Sequence, residues 1–168
     1  MRPKELEESF VTLVTEHNGI IENVCSLYGT AEDRQDLFQE IVYQLWRSYP
    51  SFSGRSKPST WLYRVALNTA LTRLRKRYVT PEHVALDDGL LKVKRVIGVD
   101  DRHQLLQQAI GGLNAVERAL VILYLDDLTY KEIADVLGIS EVNVGVKLNR
   151  IKKKLQEQMG APQCNSTS

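Results

Sequence analysis

Between Thr129 and Leu155, in TYKEIADVLGISEVNVGVKLNRIKKKL, a helix start, a helix stop and a second helix start fall in one register. Thr129 is followed three residues later by Glu132, a capping box in which each side chain accepts from the other residue's free backbone N–H. Gly138 stops that helix, because glycine enters the left-handed backbone of a helix C-terminus without strain. Ser140, two residues on, caps the helix that follows. A segment so marked has little choice but to form two helices meeting at a Gly-Ile-Ser corner, the length of a helix-turn-helix connection.

The second of these helices divides into faces. Val144, Leu148, Ile151 and Leu155 recur at steps of four, three and four, an apolar stripe suited to packing on the first helix. Asn143, Lys147, Arg150 and Lys154 fall on a neighbouring stripe. Amide and guanidinium groups on the N-terminal half of a helix lying in the major groove can pair with base edges, and lysines bind phosphate as point charges. The same stripe would equally serve an ordinary helical hairpin as its solvated face.

The 168 residues, 43% hydrophobic and 26% charged, have room for one globular domain or two small ones. A net charge of +1 conceals a separation of sign. No acid occurs from Ile41 to Arg77, where Arg47, Arg55, Lys57, Arg64, Arg73, Arg75, Lys76 and Arg77 are all basic. Ahead of them stand Glu5, Glu7, Glu8, Glu16, Glu22, Glu32, Asp33, Asp36 and Glu40, so one domain has an acidic and a basic part.

No run of about 18 apolar residues is present to span a membrane, and MRPKELEESF has acids where a signal peptide needs an apolar core. The expectation is a cytoplasmic protein with no direct membrane insertion. Cys25 and Cys164 form no paired-thiol motif; the first reads as core filler and the second as a tail residue. His17, His83 and His103 have no second ligand at metal-binding spacing, and no nucleophile-base set, phosphate loop or carboxylate pair is evident. No metal, cofactor or catalytic residue is expected.

Elsewhere the periodicity predicts helices throughout. Leu6 to Tyr28 follows a helical period with a possible interruption at Asn18-Gly19. Asp33 or its neighbour opens a second helix, on which Leu37, Ile41 and Leu45, with Phe38, Val42, Trp46 and Tyr49 beside them, make a broad apolar face ending before Pro50. The segment PSFSGRSKP, residues 50–58, reads as a loop, and a third helix follows from about Ser59 to Tyr78. From Val79 to about Asp100 the pattern fails, which marks a linker. Helices resume at Asp101 to Ile110 and from Asn114, whose partner Glu117 makes a second capping box.

Two helical units in this order resemble bacterial RNA polymerase sigma factors of the extracytoplasmic function group, in the sigma-70 family. The resemblance runs from about Phe10 to Leu155. The segments DRQDLFQEIVYQLWRSYPSF from Asp33 and STWLYRVALNTALTRLRKR from Ser59 resemble the family's region 2, and LNAVERALVILYLDDLTYKEIADVLGIS from Leu113 resembles its region 4. It implies an all-α fold of two small helical domains joined by a flexible linker: region 2 at 1–78, the linker at 79–100, region 4 with the helix-turn-helix at 101–159, and a disordered tail at 160–168.

The roles it implies can be set on residues. The polar face of the second helix, here Arg34, Asp36, Gln39 and Glu40, docks on the clamp helices of the largest subunit of core RNA polymerase. The loop and helix after it take up melted minus-ten DNA, here through Phe52, Ser53, Arg55, Lys57, Arg64, Asn68 and Arg75. An aromatic ring in a basic, serine-rich loop also suits an exposed, flipped base on physical grounds, by stacking and edge contacts, although Phe52 could instead anchor the loop to the core. Trp61 stays open between core packing and promoter melting. The last helix reads duplex minus-35 DNA through Asn143, Val146, Lys147, Arg150 and Lys154. Further implied partners are the flap of the second-largest polymerase subunit and an anti-sigma factor, in some members at the inner membrane. The linker's Asp87, Asp88, Asp100 and Asp101 would mimic RNA charge along the exit path.

Two positions depart from the pattern. Gly145 stands where many members have lysine or arginine, lowering helix propensity by about 1 kcal/mol relative to alanine, and close approach to the groove would account for it. Asn149 stands where histidine is common, so no relative's minus-35 sequence transfers. The rivals are a stand-alone helix-turn-helix regulator, which lacks here a heptad seam or a sensor domain, and a helical protein-only adaptor, which leaves the basic stretch unexplained.

Overall fold

A computed structural model describes residues 2–79 and 101–160, and every described element is helical. The chain separates into two compact units that part between these two stretches. The expected linker lies outside the described residues except for Val79, which ends a helix, and so does the expected tail beyond Gly160.

The first unit is built from α1 (Pro3–Glu16), α2 (Asn18–Tyr28), α3 (Arg34–Ser48) and α4 (Pro58–Val79), with one 3-10 turn at Tyr49–Ser51 after α3. The interruption foreseen at Asn18-Gly19 falls one residue earlier, at His17, whose φ of −113° and ψ of 19° leave the helical region. Pro58 begins α4, where its fixed φ suits the first turn and its missing N–H costs nothing. Helices α2, α3 and α4 pack on one another. Ile21, Val24, Leu37, Ile41, Leu45, Leu62, Tyr63 and Leu67 are buried between them, and the small Ala66 and Ala70 let the backbone of α4 come close. Cys25 is core filler as expected: burial pushes its thiol up to about 11, so it stays protonated and inert.

A train of aromatic rings continues this core toward the loop. Phe10 meets Trp46 edge-on at 5.0 Å and Tyr49 at 5.3 Å; Tyr49 stands 6.2 Å from Trp61, and Trp61 lies 4.8 Å from Phe52. Trp61 is 7% exposed and belongs to the core.

Charge pairing closes α3 onto α4. Asp33 takes a hydrogen bond from Arg77 and lies 3.6 Å from Arg73, which also donates to Glu40 at 3.1 Å. Asp33 stands at the N-cap of α3, where it or its neighbour was read as opening the helix, but its side chain makes no cap bond and serves this cross-helix cluster. The hydrogen bond from Arg77 is the largest of the influences holding the Asp33 carboxyl below its ordinary value of 3.8. A lowered folded-state value means the contribution to stability is complete above that ordinary value and disappears as pH falls through the lowered one. We therefore expect Asp33→Asn to cost about 1–2 kcal/mol at pH 7, since it leaves two arginines facing an uncharged group. The gap from wild type should shrink below pH 3.8. Urea midpoints measured at pH 7 and pH 3 test this; an equal gap at both values would rule out the carboxylate as its source.

The second unit is built from α5 (Asp101–Gly111), α6 (Ala115–Leu125), α7 (Tyr130–Leu137) and α8 (Glu141–Gly160), with α8 packed against the other three. Both capping boxes form. The Glu117 N–H donates to Asn114 at 2.9 Å and the Asn114 N–H to Glu117 at 3.1 Å, while the Thr129 N–H donates to Glu132 at 2.8 Å and the Glu132 N–H to Thr129 at 3.2 Å. Gly138 takes φ +69°, the left-handed stop its position demands, and Ser140 accepts from the Asn143 N–H at 3.2 Å to start α8. Val144, Leu148 and Ile151 are buried as the stripe foretold, and Leu155 is half-buried.

Candidate nucleic-acid interface

Helix α8 turns its apolar stripe inward, so geometry alone puts Asn143, Val146, Lys147 and Arg150 outward together, and all four are exposed. At about 100° per residue they span less than a third of the helix circumference, one outward surface. The stripe is continued by Lys154, but that side chain has a partner within the protein: Nζ donates to Glu117 Oε1 at 2.7 Å. Burial raises the Glu117 carboxyl, yet the bonds from Lys154 and the Asn114 backbone outweigh it and hold it below its ordinary value. Lys154 thus ties α8 to α6, a role its periodicity could not reveal. Lys152 does likewise on another side, 4.5 Å above the Tyr124 ring and 3.3 Å from its hydroxyl.

Gly145 does not share that outward surface. It sits about 140° around the helix from Arg150 and looks at Tyr130 of α7, so a close approach made through the surface of Asn143 and Arg150 would not account for it. A Cβ there would stand 3.5 Å from Tyr130 Cε2, an ordinary contact. We expect Gly145→Ala to stabilise the second unit by about 0.5–1 kcal/mol, with the melting midpoint rising by a few degrees and promoter selection unchanged. A fall in the thermal midpoint would mean that α7 and α8 tolerate no side chain there.

In the first unit, residues 52–57 form the loop between the 3-10 turn and α4. Ser53, Arg55 and Lys57 are exposed, and Gly54 turns the chain at φ +70°. Phe52 is half-buried: its N–H donates to Tyr49 O at 3.0 Å and its ring packs on Trp61 at an interplanar angle of 31°. One face of Phe52 is therefore an anchor, which is one of the two roles its sequence left open. On α4, Asn68 and Arg75 are exposed on one face and Arg64 is half-buried beside them. Arg73 and Arg77 point away, into the acids of α3, so the basic stretch is divided between two jobs.

Helix α3 gives its four polar candidates different surroundings. Asp36 and Gln39 are exposed. Glu40 is bound to Arg73 of α4, and Arg34 turns back on the α2–α3 connection, its Cγ near Gly29 and its Nε buried. Beside them lies a feature that the sequence marked only as part of a broad apolar face. Phe38, Val42, Tyr43 and Trp46 line an open apolar groove of about 540 Å³ with Phe10 and Val11 of α1. Val11 is 60% exposed and Tyr43 57%. The signal was available: the apolar face of α3 is wider than a single packing partner covers.

Residues 13–79 match the family model of sigma-70 region 2, and residues 103–155 that of sigma-70, region 4; between them they take in more than half of the chain. The chain is similar to the ECF RNA polymerase sigma factor SigW of Bacillus subtilis, 25% identical over 91% of this chain and 90% of that protein. It is also similar to the ECF RNA polymerase sigma factor SigG of Mycobacterium tuberculosis, 31% identical over 76% of this chain and 42% of that protein. Among solved structures, the sigma factor RpoE of Bartonella quintana, crystallised with the anti-sigma factor NepR, shares the fold at a TM-score of 0.70. It is 22% identical, and the match covers 92% of this chain and 96% of that one.

Proposed function

From the premise that this chain belongs to the extracytoplasmic function group of the sigma-70 family, we propose how its two units divide the work of directing promoter-specific transcription initiation. That family is one of DNA-binding initiation factors, not of catalysts. The observation that carries the proposal is the union in one chain of a helix-turn-helix presenting Asn143, Lys147 and Arg150 with a separate unit presenting a basic loop. A stand-alone regulator would leave the region 2 match without a task.

In the proposed division, residues 101–159 act as region 4, with α8 in the major groove of the minus-35 element and the unit's outer surface on the polymerase flap. Residues 1–78 act as region 2. Asp36 and Gln39, together with the groove at Tyr43 and Trp46, meet the clamp helices of the largest subunit. Ser53, Arg55, Lys57, Arg64, Asn68 and Arg75 follow the backbone of the melted minus-ten strand, and the outer face of Phe52 stacks on an unpaired base. Single-strand binding of this kind draws melting forward, because stacking is available only to an open strand.

A protein partner of the anti-sigma kind belongs to the proposal as well, on the likeness to the RpoE–NepR complex. The site of action is the cytoplasm, where core polymerase works, and any hold at the inner membrane runs through that partner. Among the described residues, no helix is long and apolar enough to cross a membrane.

Run-off transcription with core polymerase, with and without the protein, tests the reading. Initiation from selected promoters only when both are present is the expected result, with weak DNA binding by the protein alone. Tight footprinting of a palindrome by the free protein, with no initiation conferred on core, would replace it by the regulator reading.

A further inference from the structure

Helix α8 exposes two valines, Val142 at 76% and Val146 at 43%, one turn apart along an edge of the outward face. Valine is a costly choice there. Its branched side chain lowers helix propensity, and an apolar surface left in water gains nothing from the fold. Both flank Asn143 and lie within a turn or two of Arg150, the groups suited to adenine and guanine edges. The major groove has one feature that no hydrogen-bonding side chain detects, the 5-methyl group of thymine, and an apolar side chain is what meets it.

We infer that Val142 and Val146 are thymine readers, each covering the methyl group of a thymine in the minus-35 element. The inference rests on the assignment of α8 to that element. Four residues advance the helix by about 6 Å, and base pairs rise by about 3.4 Å each. With α8 lying along the groove, the two thymines therefore stand one to two steps apart.

The test uses holoenzyme reconstituted from core polymerase and the full chain, on a promoter selected from templates randomised across the minus-35 element. Each thymine of the selected element is replaced in turn by deoxyuridine, which removes the methyl group and leaves base pairing intact. At two positions wild type should form open complexes about fourfold less well, the worth of one buried methyl group. Val142→Ala and Val146→Ala should each show a similar loss on the thymine template and become indifferent to deoxyuridine at one of those positions. Alanine is the better helix former, so unfolding is not the expected source of the loss.

A selected element without thymine, tolerance of deoxyuridine at every position by wild type, or undiminished methyl sensitivity in both variants would each overturn the inference while leaving the sigma assignment standing. Failure of the holoenzyme to initiate selectively on any template would remove that assignment, and this inference with it.

Discussion

Tyr43→Ala is expected to weaken binding to core polymerase by about 2 kcal/mol, roughly thirtyfold, while leaving the first unit folded. The ring is 57% exposed at the rim of the α1–α3 groove, so its removal opens no cavity in the core. Its surroundings have the make-up of an interface centre: an aromatic side chain beside apolar Val42 and Trp46, edged by polar Gln39 and Glu7. Anisotropy of a labelled protein titrated with core polymerase measures the affinity, and thermal unfolding checks the fold. Glu40→Ala is the informative contrast, because its partner is Arg73 within the unit and its loss should show in stability rather than in affinity. If Tyr43→Ala and an Asp36→Ala, Gln39→Ala double variant both bind core as wild type does, the docking surface lies elsewhere.

Arg150→Ala should remove about 1–3 kcal/mol of minus-35 discrimination, concentrated at one base pair. Arg150 is exposed at the centre of the outward face of α8, where a guanidinium can pair with two acceptors of one base. Lys147→Ala should instead weaken all templates alike and flatten the salt dependence, the mark of a phosphate contact. Transcription from a panel of single-base minus-35 variants separates the two patterns. An Arg150→Ala protein that ranked the whole panel as wild type does would take Arg150 off the reading face.

The parts of this architecture that were legible in the sequence are those governed by near neighbours. Thr129 with Glu132, Asn114 with Glu117, Gly138 and Ser140 each act within a turn of helix, and each does in the structure what its spacing indicated. What the sequence did not reveal is partners far along the chain. Glu40 and Arg73 are 33 residues apart, Asp33 and Arg77 are 44 apart, and Lys154 reaches Glu117 across 37. Helical period tells which residues share a face, but not which neighbouring helix carries a complementary charge opposite it. Trp46 and Val42 show the converse limit. A residue on an apolar face is buried only if another helix covers it, and α1 covers this one incompletely.

The aromatic train of the first unit also makes the protein its own reporter. The chain has two tryptophans, Trp46 and Trp61, and both stand in that train. Trp46, 37% exposed, edges the groove proposed for polymerase, whereas Trp61, 7% exposed, lies against Phe52 in the proposed capture loop. Intrinsic tryptophan emission therefore comes from the first unit alone. Drying of the groove would shift the Trp46 component to the blue, and stacking of a captured base on the outer face of Phe52 would change the surroundings, and so the emission, of Trp61. With one or the other indole replaced by phenylalanine, docking and strand capture become separate optical signals, followed in real time without a label.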